Sequence, residues 1–396
     1  MRTFGAASAL LGLILILGLA TTGPAQPPPR TGLEIFRYDT FDDEQLWTNT
    51  FRLHETVQQL PPADALALGL KVDADALPPA IVNALKAGQI DPKDPAVTRQ
   101  LLELNAVVGV MGKVAGDRVR SVGITCALCH STVDNSLSPG IGRRLDGWPN
   151  LDLDVGKIAA AAPGFPDALR TEFRGWGRGK YDPRHHIFDG QNISFLHTPS
   201  LPVVLPPAYG LQNVSVETFT GDGPISYWNA YVAVTQMGGS GDFSDPRIGV
   251  NIRQRPDRVT SKLAALFAYQ LSLQKPAPPA GTVNDAAAAR GSQLFNGIAG
   301  CSTCHVPPTY TDAGSDPDMP LLHLPSDTGS DPRYAGRSPT GRYRTTPLRA
   351  LWQHPPYFHD GSAATLLDVV NRYNAVKKLG LTEAQKLDLV EFLNSL

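Results

Sequence analysis

The 396-residue sequence is poor in the residues that bind metals or form cross-links: four cysteines, four methionines and nine histidines. Any site that needs thiol, thioether or imidazole groups must therefore draw on a short list. Charge of one sign is also lacking, with 35 basic and 37 acidic side chains. This balance argues against a nucleic-acid partner or an anionic membrane surface, because both usually require a basic patch. Hydrophobic residues still make up 42% of the chain, and the length suggests two or three domains.

Long apolar runs are absent after the N-terminus. Arg2 precedes an apolar stretch from about Ala6 to Ala20, which small residues and proline follow, as is typical of a secretory signal peptide. An uncleaved anchor helix is the alternative, but the run is shorter than the roughly 20 apolar residues that span a bilayer. We assign residues 1–25 to a signal peptide. The mature protein is expected to be periplasmic or otherwise exported, with no stable membrane insertion after cleavage.

All four cysteines fall in two copies of the motif Cys-X-X-Cys-His. The two copies are Cys126, Cys129, His130 and Cys301, Cys304, His305. This motif is the signature of covalent c-type haem attachment, in which two thioethers hold one porphyrin and the histidine is the proximal iron ligand. A lone Cys-X-X-Cys also occurs in redox dithiols and zinc half-sites. Two complete copies behind a signal peptide, with no spare cysteine, favour two covalently bound haem c groups.

The remaining sequence predicts a mainly α fold, since few segments show strand-like alternation. Helices are predicted at 260–273 and at 382–396, the second opened by Thr382 and Gln385 in capping-box spacing. The prolines of QKPAPPAGT favour an extended connector between two halves. We predict two cytochrome c-like haem domains in tandem with an N-terminal helical extension. The ranges are 31–110 for the extension, 111–274 for the first haem domain, 275–282 for the linker and 283–396 for the second haem domain.

Two further patterns concern the organisation of the chain. Trp47, Phe51 and His54 fall on one helical stripe, where His54 is expected to be a hydrogen-bonded core histidine rather than an iron ligand. A duplication is indicated by HTPSL at 197–201 followed by FTGDG at 219–223, and by TTPLR at 345–349 followed by YFHDG at 357–361.

The segments RGSQLFNGIAGCSTCH and TTPLRALWQHPPYFHDGSAATLLDVVNRY resemble the bacterial dihaem cytochrome c peroxidase family and its related dihaem maturation and oxygenase enzymes. The resemblance covers residues 120–396 and is strongest in the second half. It implies an oxidoreductase in which electrons enter at the second haem and a small oxidant, such as hydrogen peroxide or dioxygen, reacts at the first. A small redox protein would be the electron donor. A non-catalytic electron-transfer cytochrome and a haem-dependent oxygenase stay open as alternatives.

In this family the distal ligand of the second haem follows the Phe-His-Asp-Gly segment and is usually methionine, or tyrosine in one branch. Tyr373 is at that place here, with no methionine downstream, so the resemblance implies Tyr373 as the ligand. An ordinary helix-face tyrosine is the alternative. Met319 and His323 are rival ligands, and His359 is expected to bond a haem propionate or the backbone.

At the first haem the family has a Glu-Met-Gly segment, whose glutamate is the acid/base group for peroxide cleavage. Gln236 takes that place here, and an amide can orient an oxygen species but cannot exchange a proton at neutral pH. Met237, the expected repeat counterpart of Tyr373, either caps the first iron or packs in its pocket. The other possibilities are an open iron or a ligand from His185, His186, His197 and Met111.

The family's inter-haem tryptophan is replaced here by Thr220. Three tryptophans are possible substitutes or, alternatively, core residues: Trp148, Trp176 and Trp228. Five arginines are either propionate partners or solvated surface residues, since guanidinium groups pair well with carboxylates: Arg143, Arg144, Arg342, Arg344 and Arg349.

Overall fold

The computed structural model describes residues 31–189, 192–196, 199–314, 316 and 318–396. The expected signal peptide at 1–25 and the candidate ligand His197 lie outside these residues. Within them, no helix has the length and apolar character needed to cross a bilayer. The described chain is helix-rich, in agreement with the mainly α prediction, but it also contains short strands that the sequence analysis did not predict.

The N-terminal region consists of short helices with clear start signals. Its helices are α1 (Gly32–Tyr38), α2 (Leu53–Gln58), α3 (Pro62–Ala67), α4 (Pro79–Lys86) and α5 (Pro95–Glu103). Thr31 and Glu34 form a capping box at the start of α1. A proline occupies the first turn of α3, α4 and α5, where its missing N–H leaves no hydrogen bond unmade.

The stripe of Trp47, Phe51 and His54 does not lie on one continuous helix, so that prediction was wrong. A π-helical turn covers Gln45–Thr50, and Arg52 adopts a φ of 60° before α2 begins. Trp47 and Phe51 are nevertheless buried. The Trp47 indole N–H donates to the Met237 carbonyl at 2.9 Å, which joins the N-terminal region to the segment that carries Gln236.

The first haem unit adds five helices and most of the strands. The helices are α6 (Ala127–His130), α7 (Val155–Ala161), α8 (Asp167–Arg174), α9 (Ile225–Tyr231) and α10 (Leu263–Ser272), with a π-helical turn at Val232–Gln236 directly after α9. The strands pair two by two: β1 (Val72–Asp73) with β5 (Ile141–Gly142), β2 (Val110–Ala115) with β3 (Arg118–Ile124), β4 (Ser131–Val133) with β6 (Arg144–Asp146), β7 (Lys180–Tyr181) with β10 (Val203–Val204), β8 (His186–Phe188) with β9 (Ile193–Phe195), and β11 (Phe243–Asp245) with β12 (Val250–Ile252). All pairs are antiparallel except β1 with β5.

The second unit is built around two crossing helices. Its elements are α11 (Asp285–Asn296), β13 (Leu322–His323), α12 (Pro325–Thr328), α13 (Pro332–Ala335), β14 (Tyr343–Arg344), α14 (Leu366–Lys377) and α15 (Glu383–Ser395). Gly291 of α11 lies against α15, and a Cβ there would come within 2.0 Å of the Asp388 carbonyl oxygen. The predicted capping box of Thr382 and Gln385 opens α15. One apolar cluster runs from Phe295 through Leu366 to Leu396 and forms the core of this unit.

Candidate haem-binding sites

Both motif histidines use one ring nitrogen to bond a backbone carbonyl. His130 Nδ1 lies 3.1 Å from the Pro206 carbonyl oxygen, and His305 Nδ1 lies 3.0 Å from that of Tyr310. Because a carbonyl only accepts, Nδ1 carries the proton in each ring and Nε2 keeps its lone pair, the tautomer that an iron ligand needs. Burial lowers the pKa of His130 to about 4 and also lowers the pKa of His305. Both rings are therefore neutral at pH 7.

The second motif opens onto a cavity of 520 Å³, within the range of about 300 to 1,000 Å³ found for ligand and cofactor pockets. Its wall contains the whole motif and apolar side chains of α14 and α15. The residues concerned are Cys301, Cys304, His305, Leu366, Val370, Leu389 and Leu393. Burial raises the pKa of the Cys301 thiol to about 11. The donor set and the apolar cavity together fit a haem c group.

Tyr373 projects from α14 into the same cavity. Its phenol has no hydrogen-bond partner among the described residues, whereas Tyr357 in the same wall donates to the Leu351 carbonyl at 2.7 Å. Burial and the nearby thiols of Cys301 and Cys304 raise the pKa of Tyr373 to about 12. A half-buried phenol that lines the same cavity as the motif has the chemistry of an iron ligand.

The rival ligands of the second haem are less well placed. Met319 is 79% exposed and does not line the cavity. His323 lines it, but its Nε2 pairs with Asp312 Oδ2 at 2.8 Å. His359 lies 3.2 Å from the Tyr343 hydroxyl through Nε2, a partner that the sequence did not indicate.

The five candidate arginines separate into two groups. Arg344 and Arg349 line the second cavity and share one carboxylate oxygen of Glu217, at 2.7 Å and 3.4 Å. The Arg344 Nε is buried without a partner, so this pair retains donors and one uncompensated positive charge for a propionate. The other three are elsewhere: Arg144 pairs with Asp73 at 2.9 Å, and Arg143 and Arg342 are exposed.

The first motif carries the same donor set as the second, two thiols and a histidine Nε2. Cys126, Cys129 and His130 each keep partial exposure, yet burial raises the pKa of both thiols to about 12. This motif therefore also fits a haem group.

Gln236 is buried with its whole amide engaged by protein. Its Oε1 accepts from the Tyr181 hydroxyl at 2.9 Å, and its Nε2 donates to the His186 carbonyl at 3.1 Å and to Thr235 Oγ1 at 3.0 Å. His186 Nε2 lies 3.0 Å from the Tyr181 oxygen. The amide thus holds Tyr181 in place instead of pointing freely into a pocket.

Tyr181 is a site residue that the sequence analysis missed. Its pKa is raised by burial and by the nearby Cys129 thiol, which locates the phenol beside the first motif. No sequence signal distinguishes Lys180–Tyr181 from an ordinary strand. Only the pairing of β7 with β10 and the contact with Gln236 bring it to the site.

The remaining candidate ligands of the first haem have other contacts. Met237 is 4% exposed and packs in a core cluster with Phe36, Phe41 and Trp228. His185 Nε2 lies 2.8 Å from Glu172 Oε1. Met111 lies on β2 opposite Gly123. Protein contacts thus hold the side chains of Met237 and His185.

The two units repeat one backbone turn, which fixes the register of the duplication. An isolated bridge joins Glu217 to Gly223 in the first unit and Tyr357 to Ala363 in the second. Positive φ angles also occur at matching positions of the two units. They are 62° at Gly210 and 48° at Ala350, 63° at Thr218 and 64° at Phe358, and 59° at Gly221 and 70° at Gly361. In this register TTPLR corresponds to LPPAY at 205–209, so its predicted pairing with HTPSL was wrong.

The same register changes the counterpart of Tyr373. If the two units are aligned on the isolated bridge, Tyr373 corresponds to Ala233. If they are aligned on the first residues of α9 and α14, Tyr373 corresponds to Val232. Neither side chain has a donor atom. Met237 lies one helical turn further along, so its pairing with Tyr373 as a repeat counterpart was also wrong.

Among the candidate inter-haem tryptophans, Trp148 makes the contact between units. Its ring lies 5.7 Å from that of Trp352 at an interplanar angle of 80°. Trp176 stacks on Phe173 at 4.0 Å, and Trp228 belongs to a buried cluster of the first unit. Trp176 and Trp228 are core residues.

The chain was compared with known proteins. No model of a known protein family matches it. It is 32% identical over 188 residues to the cytochrome-c peroxidase IdrP1 of Denitromonas iodatirespirans, a match covering 35% of this chain and 50% of that protein. It is 33% identical over 129 residues to the methylamine utilization protein MauG of Methylorubrum extorquens, covering 28% of this chain and 34% of that protein. The matches thus span half or less of these curated relatives.

Two solved structures are similar to this chain, each with a TM-score of 0.34, a value too low to support a structural inference. One is hydrazine synthase of Kuenenia stuttgartiensis pressurised with xenon, with 18% identity over 59% of this chain and 82% of that chain. The other is a MauG-like protein associated with microbial copper homeostasis, with 20% identity over 50% of this chain and 74% of that chain.

The residues of the two histidine sites fit the class of haem proteins, and the curated relatives are a cytochrome-c peroxidase and MauG. Within that class, the chain is related to the bacterial dihaem cytochrome c peroxidase family, which confirms the resemblance found in its sequence.

Proposed function

We propose that this protein is an exported dihaem c-type cytochrome with peroxidase-like oxidoreductase activity. The His130 unit is the reaction site and the His305 unit is the electron-entry centre. The observation that carries this proposal is the difference at one repeat position, where the second unit has the free phenol of Tyr373 and the first has only Ala233 or Val232. A capped iron suits electron transfer, and an uncapped one suits a small oxidant.

Covalently bound haem would supply the one-electron and oxygen chemistry. The chain's own residues supply the rest: each motif histidine offers Nε2, and the motif cysteines form the thioethers. Arg344 and Arg349, which share Glu217, are available to a propionate. Because Gln236 cannot exchange a proton, the Tyr181 hydroxyl that donates to this amide is a proton-bearing group available beside it.

The tandem arrangement, with the domain ranges predicted above, belongs to the same proposal. It is supported by the separate apolar core of the second unit and by the absence of helix or strand at 274–279. The contact of Trp148 with Trp352 supports electron passage between the units. A small redox protein as donor and hydrogen peroxide as oxidant complete the proposal.

The test is electron paramagnetic resonance of the ferric, haem-replete protein combined with hydrogen peroxide turnover. We expect one high-spin haem and one low-spin haem. Tyr373→Phe removes the phenolic oxygen, so the low-spin signal should change while the high-spin signal stays. Tyr357→Phe is the matched control, because it also lines the cavity but donates to a backbone carbonyl.

Two low-spin haems that do not react with peroxide would overturn the enzyme proposal and leave a non-catalytic electron carrier. Consumption of dioxygen without peroxide turnover would instead support the oxygenase alternative. An unchanged low-spin signal in Tyr373→Phe would remove Tyr373 as the ligand.

A further inference from the structure

A second cavity of 520 Å³ lies in the N-terminal region and reaches the first haem motif. It is enclosed by α2, α3, α4 and α5 and by the inner faces of β2 and β3. No cysteine or histidine lines it, and it comes nearest to a haem motif at Leu128, between the two cysteines of the first copy. The haem groups of the proposed function therefore leave it unused.

The lining is aliphatic. Leucine, isoleucine, valine, alanine and proline make up most of it, and no aromatic ring contributes. Two polar side chains in the wall are already paired, since Thr98 Oγ1 donates to the Leu60 carbonyl at 2.6 Å and the Lys71 ammonium contacts Asp152. An ordered water needs two to four polar partners, so this interior holds water poorly.

Prolines keep the surrounding helices from closing the space. Helices α3, α4 and α5 each begin with proline, which fixes φ and stiffens the connections between them. Neither α3 nor α4 contains a fully buried residue. Leu66, Ile81 and Leu85 keep partial exposure because they face the cavity. Unfilled apolar volume destabilises a fold, so an apolar occupant would be favoured here.

The mouth of the cavity is acidic. Gln89, Asp91 and Asp94 line it and are exposed. A carboxylate head group would be repelled by the two aspartates, whereas a neutral hydroxyl or a cation would not. The mouth therefore selects the polar end of an occupant, and the aliphatic interior selects its tail.

We propose that this cavity binds one small aliphatic molecule, with its alkyl chain inside and a neutral or cationic head group at Asp91 and Asp94. The absence of aromatic rings and of free polar groups inside favours a flexible alkyl chain over a planar or polar ligand. The volume is that of a small-molecule pocket. It is too small for a secondary-structure element of a partner protein.

The test is isothermal titration calorimetry of 1-hexanol, 1-heptanol and 1-octanol with the haem-replete full chain. Burial of each added methylene should tighten binding by roughly fourfold. Ala65→Phe fills the cavity from α3 and should weaken 1-octanol binding by at least about tenfold. Ala67→Phe is the matched control, because Ala67 is exposed on the same helix and does not line the cavity.

Binding that is absent in the natural chain, equal in Ala65→Phe, or tighter for octanoate than for 1-octanol would overturn the proposal. The visible haem spectrum and the melting temperature report whether each variant is folded. If Ala65→Phe fails to fold, Val97→Phe fills the same cavity from α5 and replaces it. The titration does not use peroxide turnover, so its outcome is independent of the proposed function.

Discussion

The two haem units share a backbone turn and differ in the side chain that follows it. Thr218 and Phe358 adopt nearly the same φ, 63° and 64°, and each turn leads into a helix. On that helix the second unit presents Tyr373, while the first presents Ala233 or Val232. The comparison teaches that duplication can preserve the geometry of a turn while the side chain that follows it changes from an aliphatic group to a phenol.

The largest effect is expected from Cys301→Ala combined with Cys304→Ala. Loss of the covalent haem would leave the 520 Å³ cavity unfilled, at a cost of at most about 12 kcal/mol if nothing collapses. This approaches the whole stability of a typical domain, about 5 to 15 kcal/mol. Mass spectrometry should show one covalent haem, and far-ultraviolet circular dichroism should show loss of helix.

The corresponding change in the first unit, Cys126→Ala with Cys129→Ala, sharpens the comparison. It should also leave one covalent haem, and that haem should be the low-spin one. Two haems retained in either variant would contradict covalent attachment through these cysteines.

Each unit holds a buried histidine that should make it sensitive to acid. Burial and the neighbouring His185 lower the pKa of His186 to about 3, whereas burial lowers the pKa of His354 in the second unit to about 4. A histidine whose folded pKa is depressed stabilises the fold above its unfolded pKa near 6.5, and this stability is lost as the pH falls below 6.5. For His186 the loss between pH 7 and pH 5 should be about 2 kcal/mol.

Urea unfolding at pH 7 and pH 5 measures this loss. His186→Gln keeps a group that can bond the Tyr181 oxygen, and it should flatten the pH dependence. His354→Gln, the second-unit control, should flatten it by a similar amount over this pH range and by less below pH 4. An unchanged slope in His186→Gln would show that His186 does not set the acid sensitivity of the first unit.

Local signals carried much of the prediction. The two motifs, the capping box at Thr382 and the helices at 260–273 and 382–396 depend on residues close together in sequence, and the sequence was sufficient for them. The β2–β3 hairpin also had a local signal in RVRSV after Gly116–Asp117, but a short alternation does not stand out in a loop-rich chain. Arg52 breaks a predicted helix because it adopts a positive φ that no residue type in the segment signals.

The details of the first site could not be read from the sequence. Tyr181 reaches Gln236 only through a long-range strand pairing. The register of the duplication depends on backbone angles at Thr218 and Phe358, where no glycine marks the turn. When the two units are aligned by residue identity alone, Asp222 matches Asp360. Met237 then falls close to the position of Tyr373, and so it was predicted to be the counterpart of Tyr373.

Gln236→Glu tests what replaced the family's acid/base group in the first unit. A carboxylate cannot donate to the His186 carbonyl or to Thr235 as the amide does. Leaving these acceptors without a donor should destabilise the protein by about 1 to 3 kcal/mol, measured by urea unfolding at pH 7. Gln236→Met, which lacks both donors but adds no charge, is the control and should lose less. Unchanged stability in Gln236→Glu would mean that the amide does not brace this site.

The smallest changes in stability are expected from substitutions in the two turns, at Thr218 and Phe358. Thr218 has a positive φ and a buried hydroxyl without a partner, so Thr218→Gly should relieve strain and stabilise the protein by about 0.5 to 1 kcal/mol. Phe358 has the same φ, but its ring packs 4.1 Å below the Arg372 guanidinium and 6.2 Å from Tyr373. Phe358→Gly should therefore destabilise by about 1 to 2 kcal/mol, since lost packing outweighs relieved strain. Urea unfolding of both haem-replete variants measures the sign of each change in the free energy of unfolding. Changes of the same sign would mean that the side chains at these matched positions do not differ in role.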